Sequence, residues 1–272
     1  MNKILLTLLL YFRFYKNLKI KDFVEYSMNS ILRKIFIFYS FIKFFFSSSY
    51  TERINNLNIN HVVDLNCLKT KKINKKEREF IQNTLKNKFK NFSKEYLDFN
   101  LNVNNKELWI KNNINFSNNI KSLDLMKKLY VNTDYKFMNW NQDLEKNKSW
   151  NNKTYFYFYK FDIENCGDPK FVWEISRLQQ LTKLSFFYYL EKKKIEKQKI
   201  QNYLKYSIFD FLISNPPLRG INWVNPMEVS IRGANLAIIL DIVGKKIFSE
   251  FELLKIINYL NDHKLFILNN LE

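Results

Sequence analysis

The stretch DPKFVWEISRLQQL (Asp168–Leu181) followed by NPPLRGINWVNPMEVSIRG (Asn215–Gly233) decides the fold. Between Gly167 and Gly233 lie all four prolines and three of the four glycines of a 272-residue chain. Elsewhere the chain is built mostly from Asn, Lys, Ile and Phe. Asp168 is suited to cap a helix and Pro169 to be its first residue, because the first helical N–H has no intrahelical partner to lose. Trp173, Arg177, Leu181, Leu184 and Tyr188 then recur at helical spacing, which predicts one helix. Glu191–Lys199 reads as a charged connection or helix end. Ile200, Tyr203, Leu204, Ile208, Phe211 and Leu212 mark a second helix, stopped by Asn215-Pro216-Pro217. Leu218–Val224 reads as a loop. Asn225-Pro226, with Glu228 three residues after the cap, resembles a capping box and opens a third helix. That helix is expected to run to about Val243 and to end at Gly244. Phe251–Leu260 and His263–Leu271 are read as a fourth and a fifth. Helices joined by short connections predict antiparallel pairs that stack as a solenoid or close into a toroid.

The chain outward from this block is less regular. Residues 1–47 read as two helices, with a break at Ser47–Ser49. Over residues 1–50 there are eight Lys/Arg and two Asp/Glu, a local charge of 8 − 2 = +6. Of the two apolar runs, Ile4–Phe12 and Ile35–Phe46, the second is broken by Lys43 and is too short to span a bilayer, which needs about 20 apolar residues. The first run resembles a signal peptide without a small-residue cleavage site. Helices packed on the domain and amphipathic helices lying on a membrane both fit. Thr70–Phe92 has helical spacing through Ile81, Leu85, Phe89 and Phe92. Residues 99–165 look irregular, and Thr154–Phe161 (TYFYFYKF) looks like a strand. The division expected is 1–50, 51–165 and 166–272.

Composition excludes several chemistries. Cys67 and Cys166 are isolated, no Cys/His cluster exists, and free thiols are the default, so no metal site is expected. Four glycines cannot build a phosphate loop. The only histidines, His61 and His263, sit in no nucleophile motif. The net charge of +18 fits a solvated lysine-rich surface or a partner that is an anionic polymer. No nucleic-acid-binding signature is present, and no nucleic-acid partner is expected. Two acid–base pairs stand out. Glu174 and Arg177 lie three apart, Glu228 and Arg232 four apart, and each spacing fits a local ion pair on one helix face. Trp173 precedes the first pair, and Asn222-Trp223 leads into the second. Aromatic faces beside Arg and Asn suit sugar rings and their carboxylates.

Lys170, Trp173, Glu174, Arg177, Asn215, Pro216, Pro217, Gly220, Asn222, Trp223, Met227, Glu228 and Arg232 together resemble the helical N-terminal domain of the heparinase II/III-like polysaccharide lyases. Order and spacing match from about Tyr157 to Glu272. The resemblance implies an all-α fold, an incomplete (α/α) toroid of antiparallel helix pairs behind an irregular N-terminal half. It implies β-elimination on an acidic, uronate-containing polysaccharide, without a cofactor. Trp173, Glu174, Arg177, Asn222, Trp223, Glu228 and Arg232 are the substrate-binding candidates it suggests. In that family the carboxylate-neutralising Asn-x-His, the Tyr of a Ser-x-x-Tyr segment and a His of a β-sandwich domain follow later. Glu272 precedes all three, so the expectation is a truncated toroid with no catalytic residue of its own. The rest of the toroid and the sandwich would then come from a separate chain. His263 matches a non-catalytic position. A periplasmic or envelope-associated location is the expectation, with the cytoplasm as the alternative. The alternative function is a non-catalytic basic helical module that associates with envelope glycans or a membrane surface. If the candidates form one site, the two blocks must be neighbours, with a Glu of one pairing with an Arg of the other.

Overall fold

The computed structural model describes residues 28, 30–40, 63–68, 70–90, 95–101 and 135–270. Expectations for residues 1–27, for the Ser47–Ser49 break, for His61 and for Phe92 lie outside these. The described residues are predominantly helical: α1 (residues 30–40), α2 (Lys75–Thr84), α3 (Ile163–Cys166), α4 (Pro169–Ser176), α5 (Gln179–Leu190), α6 (Lys194–Ser214), α7 (Pro226–Ile247) and α8 (Glu250–Asn270). Two small antiparallel ladders accompany them, β1 (Lys88–Phe89) with β2 (Leu97–Asp98) and β3 (Gln142–Asp143) with β4 (Lys148–Ser149).

The long helices form two hairpins. In α7 and α8, Arg232 and Gly233 meet His263, while Gly244 meets Leu253, so residue numbers rise on one helix as they fall on the other. That is an antiparallel pair, as the two-residue link Phe248–Ser249 requires. Helices α5 and α6 are joined by Glu191–Lys193 and touch where Lys197 lies over Tyr188. The hairpins then lie side by side in parallel. Thr182 bonds Asn235 and Lys246 lies over Tyr189, which aligns α5 with α7. Lys205 pairs with Glu252 and Phe211 meets Tyr259, which aligns α6 with α8. Between the layers lie Leu181, Leu184, Leu204, Ile208, Leu236, Val243, Ile256 and Phe266, all essentially without solvent exposure. The same core takes in Phe36 of α1, Ile81 of α2 and Trp140, so the irregular region is packed onto the hairpins.

The caps fall where the sequence puts them. Asp168 accepts from Lys170 N and Asn225 from Met227 N, each with Pro as the next residue. Gly167 (φ +88) and Gly220 (φ +72) sit at close approaches: a Cβ would lie 2.5 Å from Asp143 Oδ2 at the first and 2.6 Å from Asn152 Cα at the second.

Five boundaries differ from the sequence reading. The helix expected from Pro169 through Tyr188 is broken at Leu178, which takes a left-handed conformation (φ 62) while wholly buried. Such a φ is costly for a branched side chain, and burial holds it there. The charged connection shrinks to three residues, and α6 starts at Lys194. Gly244 does not end α7, which runs to Ile247 with Lys245 and Lys246 in its last turn, favourable beside the helix C-terminus. The expected fourth and fifth helices are one, α8, which runs through Asp262 and His263 with both buried. The helix over Thr70–Phe92 stops at Thr84. Asn87 (φ 56) turns the chain there, with its side chain bonded to Lys136 O, Asn100 and Tyr203, and Phe89 enters β1. Thr154–Phe161 is not a strand. Tyr155 makes one bridge to Arg219, and Phe156–Phe158 form a 3-10 turn. Tyr155 and Phe156 are both buried, which an alternating strand cannot do with consecutive residues.

Candidate functional site

The kink at Leu178 places Arg177 at the end of α4, facing the start of α7. Its Nε and Nη2 donate to the two carboxylate oxygens of Glu228 at 2.7 and 2.8 Å, and Nη1 donates to Glu174 at 2.5 Å. The fork geometry matches the carboxylate plane, which makes this the stronger kind of ion pair. Glu228 is 3% exposed at its side chain, Arg177 and Glu174 about a quarter. The bond to Glu228 raises the Arg177 pKa further above its ordinary value against the opposing effect of burial. Asn235, one turn after Arg232 on α7, donates to the Arg177 carbonyl left open by the helix break and accepts from Thr182.

Glu228 therefore pairs with Arg177, 51 residues away, and not with Arg232 on its own helix. The capping box expected at Asn225 also lacks its acidic half, since the Glu228 carboxylate is committed to Arg177.

Arg232 points into the core and is 1% exposed. Its Nη2 donates to Asn222 O at 2.9 Å and its Nε to His263 Nε2 at 2.9 Å. The rings of Phe211 and Trp223 each lie 5.3 Å from the guanidinium carbon. Among the described residues no carboxylate is within ion-pair distance of it. Two neutral acceptors and two ring faces hold a desolvated cation, and burial lowers its pKa. Because His263 Nε2 accepts, the ring proton must sit on Nδ1, where it is shared with Tyr259 O at 2.8 Å. Burial first, and the Arg232 charge second, hold the His263 pKa well below its ordinary value, so this imidazole is neutral.

Asn215 ties the loop to this cluster. Its carbonyl accepts from Tyr259 Oη (2.7 Å) and Trp223 Nε1 (3.4 Å), and its Oδ1 from Asn222 Nδ2 (2.8 Å). Asn222 Nδ2 also reaches Asn141 Oδ1 and Trp140 O. Trp223 is fully buried between His263, Tyr259 and Phe266. Asn222, Trp223, Glu228 and Arg232 thus brace the turn between the hairpins and offer no surface to a polymer. The sequence reading did not single out Asn235, Tyr259 or Asp210, and it placed His263 outside the candidates. Only the helical spacing of Tyr259 and His263, and of Arg232 and Asn235, hints at shared faces.

Of the seven candidates, Trp173, Glu174 and Arg177 reach solvent. Trp173 Nε1 donates to Ile221 O at 3.0 Å, which fixes the ring against the loop. Phe161, about half exposed, meets that ring edge-on at 6.2 Å and also meets Trp150 and Tyr159. Lys170 is exposed one turn before Glu174. No group of side chains among the described residues is arranged to hold a metal ion. Cys166 is a free, half-buried thiol. No helix among the described residues is long and apolar enough to cross a membrane.

Comparison with known proteins leaves the class at the level of the fold: no family model, no curated protein and no solved structure matches this chain. What the structure defines is a helical protein whose two hairpins are locked by a buried arginine–histidine cluster and a half-open Arg–Glu clamp.

Proposed function

We propose that the hairpins α5–α8 are part of an α/α toroid of the heparinase II/III-like lyase kind, and that the corner around Trp173 and Arg177 binds acidic polysaccharide. The observation that carries this reading is the Arg177–Glu228 clamp: it brings the two sequence blocks that resemble that family together beside an exposed aromatic surface. Parallel stacking of antiparallel hairpins is the unit from which such toroids are made. In this reading Phe161 and Trp173 offer ring faces to sugar C–H surfaces. Lys170 attracts the uronate, and Arg177 Nη1 receives it where Glu174 now sits. Glu174 then acts as a carboxylate stand-in, displaced by ligand. Glu228 and the Arg232 cluster hold Arg177 and the loop in position.

Titration calorimetry with a uronate oligosaccharide and a neutral oligosaccharide tests this. The acidic ligand is expected to bind and the neutral one to bind far more weakly. Lys170→Ala is expected to weaken binding roughly threefold to tenfold, as for a solvent-facing charge contact. Glu174→Gln is expected to strengthen it, since a competing charge is removed without loss of shape. Binding unaffected by both substitutions would place the ligand elsewhere, and no binding at all would end the reading.

A further inference from the structure

Helix α1 has two apolar sides, and among the described residues only one is covered. On the inner side Phe36 and Ser40 are buried, the Ser40 hydroxyl bonds to the Tyr155 hydroxyl, and Tyr155 Oη also donates to Ile37 O at 3.2 Å. On the outer side Met28, Ile31, Leu32, Ile35 and Phe38 are 50–67% exposed. At about 100° per residue these five fall within a stripe about 120° wide, so they share one face. A helix face left to water would carry charges there. Residues 26–51 contain no Asp or Glu, while Arg33 and Lys34 are exposed and Lys34 borders the stripe.

We infer that the outer face of α1 lies on a bilayer containing anionic lipid. An aliphatic stripe sinks into the acyl boundary while bordering cations meet headgroup phosphates, and aromatic rings settle at the interface. The absence of acidic residues over this segment complements an anionic surface. A second copy of the chain would set the same cations against each other, and a hydrated glycan has no use for five apolar side chains in one row. This goes beyond glycan binding and holds or fails independently of it.

Co-sedimentation of the full chain with vesicles of phosphatidylcholine plus phosphatidylglycerol, against phosphatidylcholine alone, is the test. The protein is expected to bind the mixed vesicles and to retain part of that binding at high salt. Ile35→Gln with Phe38→Gln keeps the net charge and changes exposed positions only, so folding is unaffected and circular dichroism checks it. The double variant is expected to lose roughly tenfold in binding through the lost apolar insertion. Arg33→Gln with Lys34→Gln is expected to remove most of the preference for phosphatidylglycerol. Binding that salt abolishes and that the Ile35/Phe38 variant does not change would be adsorption of a +18 chain, and it overturns the proposal. So does a dimer that the Ile35/Phe38 variant splits while vesicle binding stays the same.

Discussion

Arg177 and Arg232 enter the sequence in the same way, each following a glutamate by one helical turn, yet they end in opposite surroundings. Arg177 sits at a kinked, quarter-exposed corner and holds two carboxylates. Arg232 sits wholly inside and holds none, only a carbonyl, a neutral imidazole and two ring faces. The difference shows that sequence spacing sets which face a charge is on, not which partner it takes. An i,i+4 pair on a helix surface is worth only about 0.3–0.5 kcal/mol. Glu228 is buried where Arg177, at the end of α4, meets the start of α7, and a buried carboxylate needs a bidentate cation far more than it needs a local neighbour.

The comparison breaks first at Arg232. Arg232→Ala leaves His263 Nε2 and Asn222 O without donors in the core and opens a cavity, so a loss of about 3–5 kcal/mol is expected. Chemical denaturation measures it. A loss below about 1 kcal/mol would mean that the cluster does not lock the hairpins.

The clamp at Arg177 comes next. Arg177→Ala strands the Glu228 carboxylate, and about 2–3 kcal/mol is expected, less than at Arg232 because water reaches the corner. Adding Glu228→Gln should restore part of it, giving a coupling of at least about 1 kcal/mol in a double-mutant cycle. Additive losses would show that the two side chains do not hold each other.

Protonation sharpens the contrast inside the core. His263 is depressed in the folded state, so its contribution is present above the unfolded histidine pKa and is lost as pH falls below it. Asp210 behaves oppositely. Burial pushes its pKa up to about 7 although Met138 N, Tyr135 and Ser214 bond to it, so its contribution is greatest at acid pH and lost as pH rises to about 7. Between about pH 4 and pH 6.5 the two slopes, each up to about 1.4 kcal/mol per pH unit, oppose each other. Asp210→Asn is therefore expected to make stability fall more steeply on acidification through this window. An unchanged pH profile would show that Asp210 is already ionised in the folded protein.

The smallest effect belongs to Glu174. Its bond to Arg177 is a partly exposed i,i+3 pair, and Glu174→Ala should cost no more than about 0.5 kcal/mol. A loss above about 1.5 kcal/mol would make it part of the clamp and not the displaceable group proposed for ligand exchange.

Much of the helical half was legible because its signals are local. Asp168-Pro169, Asn215-Pro216-Pro217 and Asn225-Pro226 act on the backbone within one turn, through missing donors, a fixed φ and side-chain acceptors, so no neighbour can overrule them. They determined where α4 and α7 begin and where α6 ends. Apolar periodicity determined that these segments are helices with buried faces. The tertiary structure decided the rest. It bent the chain at Leu178, made α8 continuous through a buried Asp262-His263, ended α2 at Thr84 ahead of the Asn87 turn, and sent Glu228 to Arg177 and Arg232 to His263. In each case burial is worth several times the local preference it replaced, and burial is set by which helices meet.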